Sequence, residues 1–177
     1  MYRNAREQVA AFVRTLAPDQ LAAPVPACPG WTVHGVVSHL TGIATDAVNG
    51  YLKGMPEPAQ TAAQVAARAD TPTTVVLREW ERSGSQLEAV LSRSNSELPA
   101  TILDVVVHEQ DIRGALGLAG NRDTELVELA TRRVFELWTN KVESAGLAPV
   151  RVQSPTGEII RGAETAPVTF SGSDYEL

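Results

Sequence analysis

The chain holds three histidines, His34, His39 and His108, and one cysteine, Cys28. Asp104 and His108 stand four residues apart, in a segment that reads as a helix. At about 100° per residue they lie about 40° apart, stacked on one face. Asp111 falls near the same stripe, while Leu103, Val105, Val106, Val107 and Ile112 surround the pair. An acid and an imidazole thus interrupt a run that a helix would bury. A carboxylate taken out of water needs a partner or a metal. Side chains one turn apart can converge on a single ion with little backbone adjustment. Two plainer arrangements use the same spacing: Asp104 hydrogen-bonds His108 and nothing else, or both lie on a solvated edge.

His39 belongs to another predicted helix, where it flanks the apolar arc beside Ile43. Gly35 and Gly42 lie on the same side and leave room for a bound group. His34 sits on the opposite flank. Spacing gives neither histidine a partner, but a third ligand from a second helix would complete a site of three protein groups with open positions for water. Cys28 has no charged neighbour in sequence and reads as a packed, unreactive thiol. Trp31 reads as a packing anchor at a helix entry. Arg113 is expected to pair with Asp111 or Glu109. There is no glycine-rich phosphate loop and no Gly-x-Ser-x-Gly elbow.

The elements that must position these residues follow from apolar periodicity. A first helix spans 2–17, with Val9, Phe12, Val13 and Leu16 on one face, and Pro18 breaks it. A second begins after Trp31 with Thr32 as N-cap. It carries Val33, Val36, Val37, Leu40, Ala44, Ala47 and Tyr51 inward and ends near Lys53-Gly54. Residues 59–70 form an alanine-rich connector or short helix. A third helix runs from Thr71-Pro72 to about Ser92, with Val76, Trp80, Leu87 and Leu91 inward, and Ser94-Asn95-Ser96 is a loop. A fourth runs from Pro99 to Gly117, and a fifth over 123–145, with Leu126, Leu129, Val134, Leu137 and Trp138, stopping at Gly146. Period-two alternation at Val150–Gln153 and Pro167–Phe170, with a turn at Pro155-Thr156-Gly157, predicts two or three short strands within 149–171. So few strand residues make no core of their own and must pack on the helices or another chain. The fold class is mainly α: a helical bundle of four long helices plus a shorter one (residues 1–148) and a small C-terminal β tail (149–177).

Composition narrows the partners. Lys+Arg is 15 and Asp+Glu 21, a net charge of −6, which argues against a nucleic acid or an anionic membrane. No stretch approaches the roughly 18 apolar residues of a membrane span. The N-terminus opens an amphipathic helix rather than a signal core. One cysteine excludes an intrachain disulfide and a cysteine-rich zinc site and fits a cytoplasmic location. Edge strands in the tail would suit a homodimer.

Two segments together carry a family resemblance. Cys28-Pro29-Gly30-Trp31-Thr32-Val33-His34-Gly35-Val36-Val37-Ser38-His39-Leu40 resembles the Gly-Trp-Thr/Ser-Val…His-Leu signature of the mycothiol-dependent maleylpyruvate isomerase-like family, part of the DinB/YfiT-like superfamily of actinobacterial metal-binding bundles. The run from Asp104 to Gly117 resembles its second signature, an acid four residues before a histidine, and the tail from Arg151 to Leu177 resembles its C-terminal module. The resemblance implies a DinB-like four-helix bundle holding a divalent metal, usually zinc. His39, Asp104 and His108 would be the ligands. Apart from the resemblance, Asp111 is placed to orient a ligand from outside or to make a helix-surface salt bridge. The activity it implies is that of an isomerase or transferase using a low-molecular-weight thiol, mycothiol as cosubstrate, on a small electrophilic substrate. Two departures stand out. The acidic ligand is Asp104 where the family usually has Glu, one methylene longer. The chain stops at Tyr175-Glu176-Leu177, where relatives usually continue with a helix and basic residues. These departures carry a second reading, a non-catalytic metal-binding bundle that takes a small ligand or a partner protein.

Overall fold

In the computed structural model, residues 1–52, 54–93, 100–155, 157–162 and 165–177 are described. Lys53, the Ser94-Asn95-Ser96 loop, Pro99 and Thr156, which the sequence assigns to a helix end, a loop, a helix start and a turn, lie outside them. The chain divides into two compact units, Met1–Ala119 and Gly120–Leu177.

In the first unit, helix α1 (Tyr2–Arg14) buries Ala5, Val9 and Val13. It ends before Pro18, which opens a one-turn helix, α2 (Pro18–Leu21), instead of merely stopping α1. At a first helical position its missing N–H is not needed. A tight loop follows: Val25 N–H donates to Trp31 O at 3.0 Å and Trp31 N–H to Cys28 O at 3.0 Å. Gly30 makes this possible with φ +85°, a backbone region open to glycine at no cost. Helix α3 (Val33–Val48) starts where Thr32 Oγ1 accepts from Gly35 N–H at 3.1 Å. The helix stops earlier than its periodicity suggests, ahead of Gly50 at φ +74°. Tyr51, expected inward, is 69% exposed.

Helices α4 (Pro58–Ala66), α5 (Thr73–Leu91) and α6 (Ala100–Ala115) complete the unit. Helix α3 packs against α4, α5 and α6, and α1 against α5 and α6. Helices α1, α3, α5 and α6 form a bundle with α3 at its centre, where every residue from Gly35 to Ala44 is buried; the 123–145 helix, expected in the same bundle, belongs to the second unit. Val36, Val37, Val76 and Trp80 form the core, with no exposed surface. Helix α6 closes as expected, with Gly117 at φ +63° and Leu118 N–H donating to Arg113 O at 2.9 Å.

In the second unit, Thr124 Oγ1 caps helix α7 (Glu125–Ser144) by accepting from Val127 N–H. Strands β1 (Val150–Gln153), β2 (Ile159–Arg161) and β3 (Val168–Ser171) form one sheet in the order β2-β1-β3, with β1 antiparallel to β2 and parallel to β3. Helix α7 packs on β2, and Trp138 meets Phe170 edge to face at 5.5 Å. The strands begin at Val150, beside the expected 148/149 division. The compact units nevertheless part at Ala119/Gly120, because three short strands need a second layer and α7 provides it. The buried stripe of α7 is Val127, Ala130, Phe135 and Val142, while Val134 and Leu137 are 40% and 44% exposed.

Candidate metal centre

The loop before α3 and the facing surfaces of α3 and α6 bring three side chains to one point. Asp104 Oδ2 lies 3.4 Å from His39 Nε2, and its Oδ1 lies 3.5 Å from His108 Nε2. One ligand atom from each residue falls within 4.8 Å of the others. The imidazole rings stand edge to face, centroids 5.3 Å apart. His39 is buried and His108 nearly so, with side chains 5% and 14% exposed.

The opposite ring nitrogens are already committed. His108 Nδ1 lies 2.8 Å from Asp111 Oδ2, and a carboxylate accepts from an N–H. His39 Nδ1 lies 2.8 Å from Gln64 Oε1, again an acceptor. With Nδ1 donating in both rings, both Nε2 lone pairs turn toward the Asp104 carboxylate. Asp104 Oδ2 is buried and accepts no hydrogen bond. In their neutral forms the two imidazoles and the carboxylate therefore present three lone-pair-bearing groups to one point. A proton on either Nε2 would make a charge-assisted bond, which closes to about 2.7–2.9 Å. The observed 3.4 and 3.5 Å are longer. Two ligands each about 2.1 Å from one tetrahedral ion lie about 3.4 Å apart. The donor set, two imidazoles and a carboxylate, is one that zinc accepts in sites with open positions.

Trp31 walls this point, its ring 5.0 Å from His39 and 6.3 Å from His108. Cys28 stands beside it, with Sγ 3.7 Å from His108 Nδ1 and 3.6 Å from Asp111 Oδ2. With no cation at the centre, burial and then the Asp111 charge push its thiol up to about 11, above the range of reactive cysteines.

Of the residues singled out in sequence, the structure brings His39, Asp104, His108 and Asp111 together and adds Cys28 and Trp31. His34 is elsewhere: its ring nitrogens meet Thr73 Oγ1 at 2.9 Å and Arg68 O at 3.0 Å. Arg113 pairs with Glu109 at 2.9 Å and lies over the Phe12 ring. Sequence reasoning missed Gln64 and Asp46, which sit behind His39. Their only signal was polarity: Asp46 one turn after Gly42 on α3, and Gln64 in the alanine-rich segment that follows.

Residues 2–113 match the family model described as mycothiol maleylpyruvate isomerase N-terminal domain. Among solved structures, the chain is similar to the crystal structure of the mycothiol-dependent maleylpyruvate isomerase. The TM-score is 0.57 at 16% identity, covering 98% of this chain and 82% of that one. A histidine-to-alanine mutant of that isomerase matches with the same TM-score and coverage at 14% identity. These matches give the DinB-like fold of the isomerase. No curated protein is matched.

Proposed function

The chain belongs to the mycothiol maleylpyruvate isomerase N-terminal domain family, and from that membership and the geometry of the centre we propose that it is a metal-dependent, mycothiol-type isomerase or S-transferase acting on a small electrophilic substrate. The observation that carries the reading is the convergence of the His39 and His108 Nε2 lone pairs on the Asp104 carboxylate, whose Oδ2 is buried without a donor. His39, Asp104 and His108 would hold a divalent ion, zinc by donor chemistry. When bound, such an ion supplies Lewis acidity that favours the thiolate form of a coordinated thiol at neutral pH.

The chain's own groups do the rest. Asp111 holds His108 by its Nδ1–H and Gln64 holds His39, so neither ring can turn away. Trp31 closes one side and limits water. Addition of the cosubstrate thiolate to an activated double bond, rotation, and loss of the same thiolate isomerises the bond with no net redox change. Addition alone is S-transfer.

The test is metal content by mass spectrometry of the intact protein and of His39→Ala, Asp104→Ala and His108→Ala, followed by mycothiol-dependent turnover of maleylpyruvate as the first substrate tried. Near-stoichiometric zinc, lost in each variant, together with thiol-dependent turnover, is expected. Absence of any divalent ion after incubation with zinc, nickel and manganese sinks the reading. Stoichiometric metal without thiol-dependent turnover would leave a non-catalytic metal-binding bundle.

A further inference from the structure

We propose that Asp46 and Gln64 form a fixed relay that sets the tautomer of His39 and so presents its Nε2 as a metal donor, a role that rests on the metal-centre reading above. Helix α4 is largely exposed, and the residue it buries is a glutamine, Gln64, at 4% exposure. Burying an amide is unfavourable unless its hydrogen bonds are made, and here both ends are used. Asp46 Oδ2 lies 2.6 Å from Gln64 Nε2 and 3.1 Å from Gln60 Nε2.

A carboxylate only accepts, so the Gln64 amide must turn its NH2 to Asp46. Its Oε1 then faces His39 Nδ1 at 2.8 Å. An amide oxygen also only accepts, so Nδ1 carries the hydrogen. A neutral imidazole with Nδ1–H has its lone pair on Nε2, the atom aimed at Asp104. Each polarity follows from the one before, beginning with a carboxylate that touches neither His39 nor Asp104.

Gly42 makes the room. A Cβ at this position of α3 would stand 2.5 Å from both Cβ and Cγ of Gln64. The two histidines are thus oriented differently. His108 is held directly by a carboxylate, Asp111. His39 is held by a neutral amide made directional by a charge one residue further out. Asp46 and Gln64 act through His39 and are positioning residues.

The test uses the full chain, metal-free, with 15N-labelled histidine and two-bond 1H–15N correlation. The wild type is expected to show the Nδ1–H tautomer at His39. Asp46→Asn, isosteric and half-exposed at its site, frees the amide to turn and should populate the Nε2–H form. Combining Asp46→Asn with Gln64→Glu restores an obligate acceptor toward His39 and a donor behind it, and should return the Nδ1–H form. Cobalt(II) and zinc affinities from chelator competition should fall about tenfold or more in Asp46→Asn and recover in the double variant. An Nε2–H tautomer in the wild type, an unchanged tautomer in Asp46→Asn, or no return in the double variant overturns the relay. An intact tautomer pattern in a wild type that binds neither ion refutes the metal-centre reading and leaves the relay standing.

Discussion

Replacing Gly42 with alanine tests stability and the metal centre in one change. The new Cβ would lie 2.5 Å from the Gln64 Cβ and Cγ. Because the clash reaches the root of the glutamine, a rotamer change cannot relieve it and α4 must move off α3. Overpacking of this kind costs about 1–3 kcal/mol. At roughly 2–4 °C per kcal/mol for a chain of this size, the melting temperature should fall by about 2–12 °C. The same movement draws Gln64 Oε1 away from His39 Nδ1. Loss of such an outer hydrogen bond lowers metal affinity about 10–100-fold. Two companion glycines separate the effects. Gly84→Ala sets a Cβ 2.5 Å from Arg6 Cδ and 2.8 Å from Nε. It should disturb the Arg6–Glu88 pair, 3.3 Å, and lower stability without changing zinc affinity. Gly114→Ala on α6 meets nothing within 4 Å and should be neutral or stabilise by up to about 1 kcal/mol. Calorimetry and zinc competition on the three variants decide. If Gly42→Ala loses stability yet keeps wild-type zinc affinity, the orientation of His39 does not depend on Gln64. If it melts with the wild type, the close approach of α3 and α4 is not as described.

Two further outcomes follow from buried ionisable groups. Burial pushes the Tyr2 phenol from 10.0 up to about 12, while its oxygen accepts from Trp80 Nε1–H at 3.1 Å. The unfolded chain releases this proton first, so that contribution to stability is complete below pH 10 and declines as pH rises toward 12; at pH 11 the loss is about 1.4 kcal/mol. Tyr2→Phe strands the Trp80 N–H and should cost about 1–3 kcal/mol at pH 7, but it lacks the alkaline decline. Denaturant curves of the two proteins should therefore converge between pH 9 and 11, and parallel curves would refute the burial account. In the metal-free protein the raised Cys28 thiol, held near 11 by burial and then by Asp111, should alkylate with iodoacetamide at a rate that climbs about tenfold per pH unit from 7 to 10. Asp111→Asn should bring the levelling-off to lower pH, and a wild-type plateau near pH 8.5 would refute that environment.

The bundle was legible because α1, α3, α5 and α6 repeat apolar residues at helical spacing, and because Thr32 and Gly117 mark ends by local chemistry. The Asp104–His108 pair was legible for the same reason, since both sit on one helix a turn apart. His39 was not: read alone, α3 shows an apolar arc with the histidine at its flank. The flank is buried because α4, α5 and α6 surround the helix, and no single-helix pattern encodes how many neighbours a helix has. Family resemblance, not spacing, drew attention to it. Gln64 and Asp46 were invisible because each acts across helices. Cys28 and Trp31 reached the centre through the folding of the loop between α2 and α3 around Gly30. The division between units escaped periodicity too, since it depends on which layer the strands choose, and α7 supplies it.

The shorter acid at position 104 sharpens what the centre demands. A glutamate could approach the imidazoles from further along α6. An aspartate has one methylene less and must be carried there by the helix itself. The backbone does this: the carboxylate sits between the rings and offers one oxygen to each, at 3.4 and 3.5 Å. Such balance has no value to a bundle that only needs to fold. Both rings are held from behind, by Gln64 and by Asp111, in the orientation that points Nε2 at Asp104. A buried carboxylate oxygen without a donor, held between two fixed imidazoles, is the kind of local conflict found at functional sites. A divalent cation held by the three groups would satisfy Asp104 Oδ2 with both rings kept in place, and so would a proton on one Nε2, since an imidazolium donates from both nitrogens; metal content decides between the two.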